Sequence, residues 1–89
     1  MTAIYRYEVP VDDSRHRIRL FGDPTGVGCR RTGIVEFWAT HDDGASLGAE
    51  RSFLVVGTGH QLPHDAVKVW GHAYDMGGAL VWHLVEVTS

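Results

Sequence analysis

Eighty-nine residues and 9.8 kDa suffice for one domain and are too few for two halves that each bury a core, so residues 1–89 are read as one unit. Eight Lys and Arg against 11 Asp and Glu leave a net charge of −3, which argues against a general nucleic-acid binder that must neutralise many phosphates. An apolar share of 44% excludes a disordered chain, and no run approaches the roughly 20 apolar residues of a membrane span. The opening MTAIYRYEVP lacks the basic and apolar regions of an export signal, so the expected compartment is the cytoplasm. A single Cys29 excludes an intramolecular disulfide and a cysteine-based zinc site.

Glycine and proline interrupt the sequence so often that long helices have no room, and the permitted windows carry apolar residues at period two. A first strand is predicted over residues 4–9, ended by Pro10, with 11–14 as the turn. The second strand, 15–21, places His16, Ile18 and Leu20 on one face and Arg15, Arg17 and Arg19 on the other. Residues 22–26 read as a turn, followed by a short third strand over 27–31. Over 34–40, a fourth strand directs Val35, Phe37 and Ala39 one way and Ile34, Glu36 and Trp38 the other.

Residues 41–48 read as a hairpin connection with an Asp-Gly turn, which predicts that 34–40 pairs with a fifth strand over 50–56. The 57–65 segment is the longest connection without regular structure. Strand six is expected over 66–73, and a tight turn at 76–79 leads into a seventh over 80–87, the two forming a second hairpin. The expectation is an all-β fold, a small antiparallel sandwich or partly open barrel of six to seven short strands. The last strand is apolar on both faces and needs cover on both, which predicts a homodimer or higher oligomer that buries part of it.

Four segments occur in an order that resembles a known family. They are Tyr5-Arg6-Tyr7-Glu8-Val9-Pro10-Val11-Asp12-Asp13, then Val35-Glu36-Phe37-Trp38-Ala39, then Gly57-Thr58-Gly59 with Leu62-Pro63, then residues 78–87, GALVWHLVEV. The family consists of small proteins encoded by phages of actinobacteria and by their hosts, and the resemblance spans nearly the whole chain. It implies no activity, catalytic residue or cofactor. Its implication is an origin: a phage or prophage accessory protein acting inside a bacterial cell.

Seven of the eight cations are arginines, and Arg15, Arg17 and Arg19 alternate along one strand, about 6.6–6.8 Å apart on one face. Such a row can grip phosphates or an acidic protein surface, and Arg30 and Arg31 extend it if the third strand lies alongside. The bland reading is a solvated face paired with neighbouring carboxylates. Gly57-Thr58-Gly59 can bring backbone N–H groups to an anion, but no Lys-Ser/Thr pair or helix follows, so the phosphate-loop logic is incomplete. His60 and His64 have the spacing of helical zinc ligands, yet Pro63 lies between them. His72 and His83 are placed to face each other across the last hairpin. Asp42 and Asp43 are explained by a turn, and Cys29 by a buried thiol.

No catalytic constellation, metal cage or cofactor motif emerges, so a binding protein is expected rather than an enzyme. The expected contact residues are Arg15, Arg17, Arg19, Arg30, Arg31, Thr58, His60 and the aromatic anchor Trp70. Three readings stay open: an intracellular binder of a host protein through a sheet face or exposed strand, an oligomeric sponge for a nucleotide or other phosphorylated ligand, and a minor virion component.

Overall fold

The computed structural model describes residues 2–42, 44 and 47–88. Seven strands run in the order β1 (Thr2–Pro10), β2 (His16–Leu20), β3 (Pro24–Arg31), β4 (Ile34–Asp42), β5 (Ala49–Gly57), β6 (Ala66–Asp75) and β7 (Leu80–Val87). They form two antiparallel sheets, a three-stranded one ordered β1-β4-β3 and a four-stranded one ordered β2-β5-β7-β6. The two pack as a sandwich, not a closed barrel. No helix among the described residues is long and apolar enough to cross a membrane.

Period two explains the packing. Val35, Phe37 and Ala39 of β4 point inward with Val9 of β1 and meet Leu20, Phe53, Val55 and Leu84 from the opposite sheet, all buried. Phe37 is the centre of this layer, its ring 5.2 Å from Tyr7 and 5.1 Å from Phe53. The predicted facing of β2 also holds, with Leu20 buried while Arg17 and Arg19 are exposed. Along one side the sandwich is drawn tight, because a Cβ at Gly71 of β6 would stand 3.0 Å from the Val27 side chain of β3. Glycine lets the two edges approach.

The structure differs from the expectation at two places. The 34–56 hairpin does not form: β4 is flanked by β1 and β3, and β5 by β2 and β7, so the connection between them passes from one sheet to the other. Alternation fixes which face a residue presents and leaves its strand's neighbours open. Asp43, Ala45 and Ser46 of that connection lie outside the described residues, although Gly44 N–H does donate to Asp42 at 3.1 Å. The expected turn at 22–26 is shorter, because β3 begins at Pro24, a position a strand tolerates at its first residue.

The 66–87 hairpin forms as predicted. Its connection is a single 3₁₀ turn, Met76–Gly78, in which Gly77 and Gly78 take φ of 67° and 95° that side chains avoid. Asp75, 4% exposed, precedes it and accepts from Met76 N–H, from Gly33 N–H at 3.0 Å and from Trp82 Nε1 at 2.9 Å. That carboxylate ties the β3–β4 turn to the end of β6. The Trp82 and Gly33 hydrogen bonds hold it below the ordinary aspartate range.

Tyr7 is an exception to polar satisfaction, since among the described residues its buried hydroxyl has no hydrogen-bond partner. Burial, and then the neighbouring Tyr5, push the phenol above its ordinary value. Tyr7→Phe is therefore expected to raise stability by about 1 kcal/mol in urea unfolding, by removing a polar group whose desolvation is uncompensated. A loss of stability would show that the hydroxyl is bonded after all.

Candidate functional site

β5 and β6 both run antiparallel to β7, which lies between them, so they are parallel to each other. Residues 58–65 must then carry the chain back across the outer face of the four-stranded sheet. This strap leaves β5 through Thr58 N–H donating to Val81 at 3.2 Å and rejoins the sheet through Thr88 N–H donating to Asp65 at 3.2 Å. Beneath it lie Leu54, Val56, Val85 and Val87, a second apolar cluster, each 8% exposed or less. The second face of β7 is thus covered by its own chain. Val85 and Val87, on the outer face of this strand, are buried within the single chain.

Arg15 fastens the strap. Its guanidinium donates to both Asp65 oxygens at 2.6 and 2.8 Å, and Thr88 Oγ1 donates to the same carboxylate at 2.9 Å. The Arg15 hydrogen bonds, followed by that from Thr88, hold the Asp65 carboxyl far below its ordinary value. Further along the row, Arg17 lies 3.1 Å from Glu50, and Arg19 lies 3.5 Å from Glu50 while donating to the Leu47 carbonyl at 2.8 Å. The row predicted from the sequence exists, on the outer face of β2, with a carboxylate beside each member.

Arg30 and Arg31 do not extend that row. They lie on β3, which pairs with β4 in the other sheet. There Arg30 and Arg6 converge on Glu36, a carboxylate 2% exposed, and Arg31 pairs with Glu8. The Arg30 hydrogen bonds, opposed by burial and aided by Arg6, hold Glu36 below the usual carboxylate range. Trp70 is half-buried against the core, its Nε1 donates to Glu86 at 2.9 Å, and the Lys68 ammonium stands 4.1 Å from its ring. Cys29 donates to the Arg31 carbonyl, and burial, then Asp75, push its thiol up.

Thr58 and His60 do line open space. A groove of about 240 Å³ runs between the strap and the sheet, walled by Val56, Thr58, His60, Leu62, Val69 and His83. On the β2 side of the strap a second cleft of about 440 Å³ includes Asp13, Leu54, His60 and His64. Thr58 Oγ1 and His83 Nε2 are 2.9 Å apart, and His72 and His83, register partners as expected, have ring centroids 5.9 Å apart. Tyr74 meets His72 edge to face at 5.6 Å. Gly57 permits this corner, since a Cβ there would fall 3.2 Å from the Trp82 ring and 3.3 Å from His60.

The face offers hydrogen-bonding imidazoles and a hydroxyl among exposed apolar groups: Leu62 is 45%, Val69 43% and Tyr74 64% exposed. Among the described residues no group of three or more His, Cys, Asp or Glu is arranged to hold a metal ion. Leu62, Val69 and His83 were not singled out from the sequence as contact residues; the signal was present in the alternation of β6, but their neighbourhood depends on where the strap crosses. No curated protein and no solved structure matches the chain. Its full length, residues 1–89, matches one family, and the chain belongs to it: the domain of unknown function DUF7352.

Proposed function

We propose that this chain is a non-enzymatic binding domain of phage or prophage origin that engages a host protein in the bacterial cytoplasm through the outer face of its four-stranded sheet. The observation that carries this reading is the apolar and aromatic surface beside the strap, where Leu62, Val69 and Tyr74 stand exposed around a groove. Aromatic anchors at a mostly apolar patch are the usual centre of a protein–protein contact. The reading as an anion sponge is weaker, because Arg15, Arg17 and Arg19 already have Asp65 and Glu50 beside them.

Immobilised protein incubated with host lysate at physiological salt tests the proposal. The expected result is saturable capture of one protein, with Tyr74→Ala weakening the purified pair by about 2 kcal/mol, roughly thirtyfold in Kd. Leu62→Asp, in the strap, is expected to weaken it further. Saturable capture that both variants leave unchanged would remove this face from the function, and heat released by a nucleotide in calorimetry would favour the sponge.

A further inference from the structure

The sandwich has four edge strands, and three of them are blunted. β3 and β6 each carry two register shifts and lie against each other, and β2 is five residues long. β1 is nine residues long and pairs with β4 in one unbroken register from Thr2 to Pro10. A long, regular, unbulged edge is a template for another strand.

The hydrogen-bond phase of that edge follows from one bond. Val11 N–H donates to the Gly33 carbonyl at 2.8 Å, one position beyond the Pro10–Ile34 pair. Bonded pairs alternate in an antiparallel ladder, so Val9, Tyr7 and Tyr5 turn their backbone groups toward β4. Ile4, Arg6 and Glu8 turn theirs outward, and Pro10, which has no N–H, occupies an outward position at no cost. No strand among the described residues pairs with this side.

We propose that the β1 edge pairs with the β1 edge of a second copy about a two-fold axis at Tyr7, with Arg6 opposite Glu8 of the partner subunit. In this register Glu8 faces the partner's Arg6 and Ile4 faces the partner's Pro10, so every outward N–H from Ile4 to Glu8 has a carbonyl opposite. Charge selects it. A shift of two residues one way sets Arg6 against the partner's Arg6, and the other way sets Glu8 against the partner's Glu8; both are repulsive. Odd shifts bring bonded positions against unbonded ones. Pairing also covers Ile4, 68% exposed, and Tyr5, 47% exposed. Two three-stranded sheets become one continuous sheet through an isologous contact, which closes at two copies.

This interface lies on the opposite sheet from the partner-binding face proposed above, so the two readings fail separately. Sedimentation of the wild-type protein is expected to show a doubled mass as concentration rises. Hydrogen exchange should then slow at the Ile4, Arg6 and Glu8 amides in the same concentration range, while Tyr5, Tyr7 and Val9 are protected throughout. Glu8→Lys and Arg6→Glu, each folded by circular dichroism, are expected to lose self-association, and an equimolar mixture should regain it as a heterodimer. A chain that stays monomeric up to millimolar concentration overturns the proposal. So does a dimer whose Ile4, Arg6 and Glu8 amides exchange freely, or a charge-reversed variant that dimerises alone.

Discussion

Phe37→Ala is expected to cost about 3–5 kcal/mol, the range for truncating a buried aromatic where neighbours cannot collapse into the space. The residue is fully buried at the junction of the two sheets, between Tyr7 on its own sheet and Phe53 on the other. Both sheets present their inner faces to it, and strands held by ladder hydrogen bonds on each side cannot move inward to fill the void. A domain of this length has a total stability near the low end of about 5–15 kcal/mol, so the variant should be barely folded. With a urea m-value near 1 kcal/mol/M, the midpoint should fall by roughly 3 M or more. Phe37→Leu keeps most of the volume and should lose about half as much or less. A Phe37→Ala loss below about 1.5 kcal/mol would mean that the sheets do not meet at this ring.

That ring's burial was legible in the sequence because alternation is a local property. Val35, Phe37 and Ala39 were assigned one face from spacing, and they share it. The same logic recovered the outward arginines of β2 and the exact span of β7. What it could not supply was adjacency. β4 and β5 look like a hairpin because an Asp-Gly connection joins them, yet each takes its neighbours from elsewhere, and that choice depends on long-range packing. Adjacency also decides which charges meet. Arg30 stands near Arg15 in the sequence pattern and on the opposite sheet in the fold, where Glu36 is its partner.

The strap shows the same limit from the other side. Residues 58–65 have no periodicity, so the sequence marks them only as a connection. Their position across the sheet follows once β7 is known to separate β5 from β6. Thr58 and His60 line the groove the strap forms, and the crossing brings Leu62 and Val69 to the same place. Arg15, singled out by its place in the arginine row, pairs with Asp65 at the strap's end.

Glu86→Gln should lower stability by about 2 kcal/mol at neutral pH, and the loss should fade on acidification. Glu86 has a side chain 13% exposed and accepts from Arg51 Nε and Nη2 at 2.8 Å each and from Trp70 Nε1 at 2.9 Å. Glutamine keeps the shape but presents an amide to donors on every side and leaves the Arg51 guanidinium, 20% exposed, with only Asp23 of its two carboxylates. That remaining partner, 3.0 Å away and 69% exposed, is why the expected loss stays below the usual value for a broken buried pair. The Arg51 hydrogen bonds, opposed by burial and aided by Trp70, depress the Glu86 pKa below its unfolded value of about 4.3. A depressed carboxylate stabilises the fold fully above the unfolded pKa and loses that contribution as pH falls through the folded one. Wild-type melting temperature should therefore drop steeply below about pH 4.3, and the gap to Glu86→Gln should close, because protonated Glu86 is as uncharged as the amide. Asp65, Asp75 and Glu36 are depressed as well, so the variant itself should still lose stability in acid, on a shallower slope. A gap that stays constant across that range would show that the carboxylate's charge contributes nothing, and that Arg51 is held by Asp23 and its packing on Trp70 alone.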